Sequence, residues 1–319
     1  MVTIDLITGF LGSGKTTFLK KYAEYLMDQG LHIGILENDF GAINVDMLML
    51  HELRGDQCEL EMIAGGCDAE SHRRRFRTKL ISMRMCGYDR VLVEPSGIYD
   101  VDEFFDVLRE EPLDQWYEIG NVIAILDARL EDNLSEQADY LLASEAANAG
   151  KVILSHADAA TREQCEDTVT HLNRALEQIR CDRRIDLKKD ILQKNLTDLT
   201  KEDLEEVSKC GYRLESYRKM DLENGQSFDS LFFMEEKIKP EALERAVPRL
   251  FADKSCGEVF RIKGYVKNGA GQWMELNATQ DSRSMQPVAV GQEVLIIIGE
   301  HLQEDKIREI LKEEETCQS

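Results

Sequence analysis

Residues 9–17 read Gly-Phe-Leu-Gly-Ser-Gly-Lys-Thr-Thr, one lysine and three hydroxyl side chains set among three glycines. Glycine weakens helix and strand alike, so this density implies that the backbone itself must lie open to something. The spacing Gly9-x-x-x-x-Gly14-Lys15-Thr16 matches the phosphate-loop pattern at every defined position. The N–H groups of such a loop, with those of the helix that follows, form a concave positive site for phosphate oxygens. Lys15 would reach the β and γ phosphates and the Thr16 hydroxyl would ligate Mg2+, while Gly12, Ser13, Gly14 and Thr17 complete the cradle.

Two further stretches carry chemistry. Val-Leu-Val-Glu-Pro-Ser-Gly at 91–97 is an apolar strand ending in Glu94, with Gly97 three residues on. An acid at such a strand end supports the Mg2+ shell, and the glycine offers a backbone N–H to the γ phosphate. Val-Ile-Leu-Ser-His-Ala-Asp at 152–158 ends near Asp158, where a carboxylate could accept from N1–H and the 2-amino group of guanine. The usual Asn-Lys-x-Asp of such loops is Ser155-His156-Ala157-Asp158 here. Ser155 lacks the forked amide of asparagine, and His156 could stack on the base as a lysine stem does. These residues favour guanine and leave adenine open.

The elements that must hold these groups follow from the pattern. Short apolar strands alternate with helical stretches through the first 160 residues, around "TIDLIT", "LHIGILE", "RVLVEP", "NVIAILDA" and "KVILSHA". That alternation signals βα units and a mainly parallel sheet. Phe18, Leu19, Tyr22 and Leu26 form a helical stripe, and Gly30 sits where a helix-terminating glycine belongs. From 161 to about 247 the pattern is helical, charged and without a clear strand repeat. From 257 on, "EVFRIKGYVKNGAGQWMELNA" predicts a hairpin, "EVLIIIG" a third strand and "QEDKIREILKEEE" a closing helix. The expected architecture is an α/β phosphate-loop NTPase domain at 1–215, a linker at 216–250 and a small α+β domain at 251–319.

The 319 residues are 43% hydrophobic and 31% charged, with a net charge of −22. Such a charge argues against nucleic acid or an anionic membrane as partner. The charge is uneven: residues 98–145 hold 14 acidic against 2 basic, and residues 71–90 hold 7 basic against 1 acidic. No two of the eight cysteines lie within four residues, which excludes a Cys-x-x-Cys zinc pair and a dense disulfide framework. Asp5 interrupts the apolar start and no aliphatic run is long enough to span a bilayer, so a cytoplasmic protein with free thiols is expected. Arg73-Arg74-Arg75 read as an exposed helix start, and His32, His51, His171 and His301 as surface or packing residues.

In order and spacing, these pieces resemble the CobW-type GTPases, relatives of the accessory GTPases that deliver nickel for urease and hydrogenase. The resemblance runs from "GFLGSGKTTFL" through "LENDFGAINVD", "AGGCDAE" and "VEPSG" to "VFRIKGYV" and "EVLIIIGEHLQEDKIREIL". It implies GTP hydrolysis with Mg2+, coupled to delivering a metal or metallocofactor to a client protein. It puts Asp39 in the first switch and Glu94 in the second, near the γ phosphate and its attacking water, with Lys15 beside them and Asp158 reading the base.

The family's Cys-x-Cys-Cys metal motif is reduced here to Cys67-Asp68-Ala69-Glu70. One thiolate with Glu37, Asp39, Asp68, Glu70 or His72 could make a mixed site for Zn2+, Co2+ or Ni2+, since borderline metals accept S, N and O ligands. Cys67 could equally be a small buried residue after a Gly-Gly turn. Two functions therefore compete: a GTPase handling a metal for a client metalloprotein, and a nucleotide-gated scaffold without a transition-metal site. An ATP-dependent small-molecule kinase shares the loop but fits neither Asp158 nor the C-terminal hairpin.

Overall fold

The computed structural model describes residues 1–38, 49–63, 69–96, 101–130, 134–219, 229–234, 238–280, 282–289 and 291–316. The chain forms two compact units, Met1–Met220 and Asp221–Ser319.

In the first unit, β1 (Val2–Thr8), β2 (Ile33–Asn38), β3 (Cys58–Ile63), β4 (Arg90–Pro95), β5 (Tyr117–Asp127), β6 (Lys151–Ser155) and β7 (Ile191–Gln193) form one sheet in the order β3-β2-β4-β1-β5-β6-β7. Every pairing is parallel. The helices of this unit include α1 (Lys15–Asp28), α2 (Ala69–Arg84), α3 (Val101–Leu108), α4 (Glu136–Ala147), α5 (Arg162–Gln178) and α6 (Lys201–Val207). A parallel sheet covered on both faces reads as near-continuous apolar runs, and β1, β4 and β6 do so. The stripe Phe18, Leu19, Tyr22 and Leu26 is buried against this sheet as its spacing predicts, and Gly30 follows α1 with φ 83.

Asp5, the polar break in β1, is wholly buried yet satisfied. Arg90 Nη1 and Tyr22 Oη donate to its Oδ2 at 2.9 and 2.8 Å, and the backbone N–H of Asn121 donates to Oδ1 at 2.8 Å. This network ties β1, β4 and β5 together. It leaves their C-terminal ends as the edge from which loops depart.

The strand order reverses at β1, with β4, β2 and β3 on one side and β5, β6 and β7 on the other. In doubly wound sheets that reversal opens a crevice beyond the strand C-termini, where ligands bind. The glycine-rich loop lies there.

The second unit is an antiparallel sheet, β11-β10-β9-β12-β8, made from β8 (Asp229–Met234), β9 (Glu258–Lys267), β10 (Trp273–Thr279), β11 (Arg283–Val288) and β12 (Val294–Glu300). Helices α7 (Pro240–Ala252) and α8 (Glu304–Thr316) bury Leu243, Val247, Ile307 and Leu311 in a core shared with Ile262, Leu276, Leu295 and Ile297.

The hairpin, third strand and closing helix expected from the sequence are all present. Four strands, β3, β7, β8 and β11, were not anticipated. β3, β8 and β11 mix exposed and half-buried residues without a long buried run, and β7 is only three residues long. The expected linker at 216–250 holds β8 and α7, both part of the second unit, which begins at Asp221. Charged residues on the outer side of α7 obscure its apolar stripe in the sequence.

Candidate nucleotide-binding site

Each strand along the crevice contributes its C-terminal end. β1 runs directly into the glycine loop. Gly9 has φ 148, and a Cβ there would sit 2.1 Å from the carbonyl oxygen of Ile125 on β5, so no other residue fits between loop and sheet. Gly14 caps α1 in the left-handed region, φ 95, and a Cβ there would meet Leu196 Cδ1 at 2.7 Å. The first turn of α1 carries Lys15, Thr16 and Thr17 and no acidic residue, which leaves the positive end of the helix dipole uncancelled.

Lys15 is buried and donates from Nζ to Gly9 O at 2.7 Å. Buried Thr16 donates from Oγ1 to Glu94 Oε1 at 2.8 Å, joining the loop to the end of β4. Glu37 is the register partner of Glu94 on the adjacent β2, and both are buried. Two carboxylates side by side, with a hydroxyl on one, form a hard oxygen donor set suited to Mg2+. The Ser13 hydroxyl is buried without a hydrogen-bond partner of full geometry, so the loop holds a donor to spare for phosphate oxygens. The residues present therefore fit a nucleotide polyphosphate and its metal.

Behind the loop lies a group that the motif does not announce. Glu145 of α4 is fully buried. Lys15, the Thr8 hydroxyl and the Gly9 N–H all draw its pKa down, but burial outweighs them and pushes the carboxyl up to about 8. Neither oxygen closes a hydrogen bond of good geometry, so hydroxyl and amide approach without fully satisfying it.

At the other end of the crevice, β6 delivers Ser155, His156 and Asp158. The Ser155 hydroxyl turns inward to donate to Leu126 O at 3.1 Å. His156 adopts φ 52 and its Nδ1 lies 2.9 Å from Asp127 Oδ2 at the end of β5, which anchors the ring. Burial would raise the Asp127 carboxyl, but hydrogen bonds from His156 and Arg129 outweigh it and hold the pKa at about 2. Asp158 is exposed and receives a hydrogen bond from Asn195 Nδ2 at 3.2 Å. Asp127, Arg129, Glu145 and Asn195 carry no motif in the sequence, because only the fold brings these separate stretches to the crevice.

The tentative transition-metal set is divided. Glu37 lies at the sheet edge beside Glu94. Glu70 is exposed and accepts from Arg74 Nε at 3.0 Å within α2. His72 is fully buried, its Nδ1 3.3 Å from Glu103 Oε1 of α3. Among the described residues no three His, Cys, Asp or Glu side chains converge as metal ligands. Asp39, Cys67, Asp68 and Gly97 lie outside the described residues. His171, expected as a packing residue, is buried with Nε2 2.6 Å from Asp139 Oδ1.

A parallel sheet with a phosphate loop at its switch point and an acid pair beside it defines a phosphate-loop nucleotide-binding protein. The family model described as "CobW/HypB/UreG, nucleotide-binding domain" matches residues 3–185, and that described as "Cobalamin synthesis protein cobW C-terminal domain" matches residues 230–314. The chain belongs to the CobW/HypB/UreG family.

Among curated relatives, zinc chaperone YjiA of Escherichia coli (strain K12) is 29% identical over 185 residues, covering 54% of this chain and 55% of that protein. Zinc chaperone YeiR of the same organism is 28% identical over 164 residues, 51% of this chain and 49% of YeiR. Zinc chaperone CobW of Pseudomonas aeruginosa is 25% identical over 197 residues, 50% of each. The chain spans about half the length of the curated relatives it matches. Among the described residues no helix is long and apolar enough to cross a membrane.

Proposed function

We propose that this protein binds GTP with Mg2+, hydrolyses it, and uses the cycle to hand a divalent transition metal to a client protein. The observation that carries the nucleotide half is the Thr16–Glu94 hydrogen bond at the sheet edge, with Glu37 beside it and Lys15 in the loop. Thr16 would ligate Mg2+, with Glu94 and Glu37 orienting its water shell. Bound there, Mg2+ would supply charge neutralisation on the phosphates. Lys15 exchanges its bond to Gly9 O for phosphate oxygens and stabilises the charge that develops there. Asp39 and Gly97 are assigned to the γ-phosphate side on the sequence motifs alone.

The cargo half is supported by the three relatives named as zinc chaperones. The division of Glu37, Glu70 and His72 among three environments favours a second reading, a nucleotide-gated scaffold without a transition metal. Cobalt(II) titration separates the two. A thiolate ligand gives a sulfur-to-cobalt charge-transfer band in the near ultraviolet, expected in the wild type and lost in Cys67→Ser, with an intensity that differs between GDP and a non-hydrolysable GTP analogue. No band in the wild type, or a band that survives the substitution, removes Cys67 from the ligands and leaves the scaffold.

A further inference from the structure

The base-binding end lacks a group that the fold supplies from elsewhere. Guanine presents N1–H and a 2-amino group to one carboxylate, and a carbonyl, O6, immediately beside them. Asp158 can serve the first two. Ser155, at the position of the usual asparagine, is buried with its hydroxyl committed to Leu126 O. His156 is tied to Asp127 through Nδ1.

Asn195, just past β7 on the neighbouring strand, stands next to Asp158 instead, its Nδ2 donating to Asp158 Oδ2 at 3.2 Å. Its Oδ1 accepts from Thr197 N at 3.3 Å and caps the 3-10 turn Leu196–Asp198. These two partners settle which way the amide faces: carbonyl to the turn, NH2 to the carboxylate.

The turn is pinned to the phosphate loop. Buried Leu196 packs where Gly14 has no side chain, and Lys21 of α1 donates from Nζ to Thr197 O. Asn195 is therefore held in a fixed place relative to both the phosphates and the carboxylate.

We propose that Asn195 is a specificity-determining residue for the purine base, supplying from the turn after β7 the carboxamide that position 155 lacks. This rests on the GTP-binding reading above. An amide NH2 has two hydrogens, so one can stay on Asp158 while the other donates to O6. Adenine carries an amino group in place of O6, so donor would face donor, and Asp158 would find no N1–H to accept from. The pair selects guanine by attraction on one base and repulsion on the other.

The test is calorimetric titration of the full chain with Mg2+ and three diphosphates: GDP, ADP and 2-aminopurine riboside diphosphate, which keeps the 2-amino group and lacks O6 and the N1 hydrogen. Asn195→Ala should weaken GDP about three- to tenfold, the worth of one neutral hydrogen bond, and leave the 2-aminopurine nucleotide unchanged. Asn195→Ser retains a cap for the turn but is too short to reach O6, and should lose GDP affinity equally. If Asn195 serves only as a cap, Asn195→Ser binds GDP like the wild type and Asn195→Ala weakens every nucleotide alike; that overturns the assignment. A wild type that prefers GDP but whose preference survives Asn195→Ala overturns it while sparing the GTP reading. A wild type that binds none of the three overturns both.

Discussion

The two units treat buried polar groups in opposite ways. In the parallel unit, buried atoms without hydrogen bonds of full geometry include the oxygens of Thr8, Ser13 and Glu145, which belong to the crevice or to the ground beneath it, and also Arg84 Nε and Arg183 Nε, which lie elsewhere. In the antiparallel unit, the described residues include no buried side-chain nitrogen or oxygen without a partner. Its buried Glu275 accepts from Tyr265 Oη at 3.3 Å and from Gln286 Nε2 at 3.1 Å. A buried polar atom left unsatisfied costs stability, and those at the crevice stand where a ligand can use them. The first unit gives up stability along one edge to keep donors ready; the second closes on itself. Substitutions should therefore trade stability against binding in the first unit and touch stability alone in the second.

The largest expected effect is at Lys15. Lys15→Ala removes a charge-assisted contact to phosphate oxygens worth roughly 1.5–3 kcal/mol, and calorimetry with a non-hydrolysable GTP analogue should show at least about tenfold weaker binding. Unchanged affinity would end the phosphate-loop assignment and, with it, the contrast between the units.

Next comes Glu145, whose carboxyl rises from an ordinary 4.5 to about 8 on folding. Below the lower value both folded and unfolded chains hold the proton. As pH rises through the window between the two values, the unfolded chain releases it first, so the folded state loses stability progressively. In the nucleotide-free protein, Glu145→Gln should raise the urea midpoint clearly at pH 8 and little at pH 5. Equal shifts at both pH values would show that the effect comes from packing and not from the proton.

The smallest effect sharpens the comparison from the other side. Tyr265→Phe removes the long hydrogen bond to Glu275 in the second unit and should cost about 1 kcal/mol in urea unfolding while leaving nucleotide affinity within measurement error. A loss of GTP affinity in that variant would mean that the second unit takes part in binding.

Local residues were enough to disclose the phosphate end, because its requirements are local. Consecutive N–H groups, glycines at Gly9 and Gly14, and a lysine at the start of α1 all fall within one turn of chain. The five strongest strands and the buried stripe of α1 were equally open to inspection, since burial on both faces leaves an apolar run in each. Glu94 was legible as the end of such a run.

The base end and the proton-binding group beneath the loop belong to tertiary structure. Asn195 reaches Asp158 only because β7 pairs with β6, and β7 is three residues long. Glu145 meets Lys15 only because α4 packs behind the glycine loop, and nothing in a helix sequence marks one glutamate as buried among many exposed ones. His72 stood close to Cys67 in the chain, yet the rotation of α2 turned it toward Glu103. Spacing along a chain sets which groups share a turn; which groups share a site across strands and helices is decided by packing.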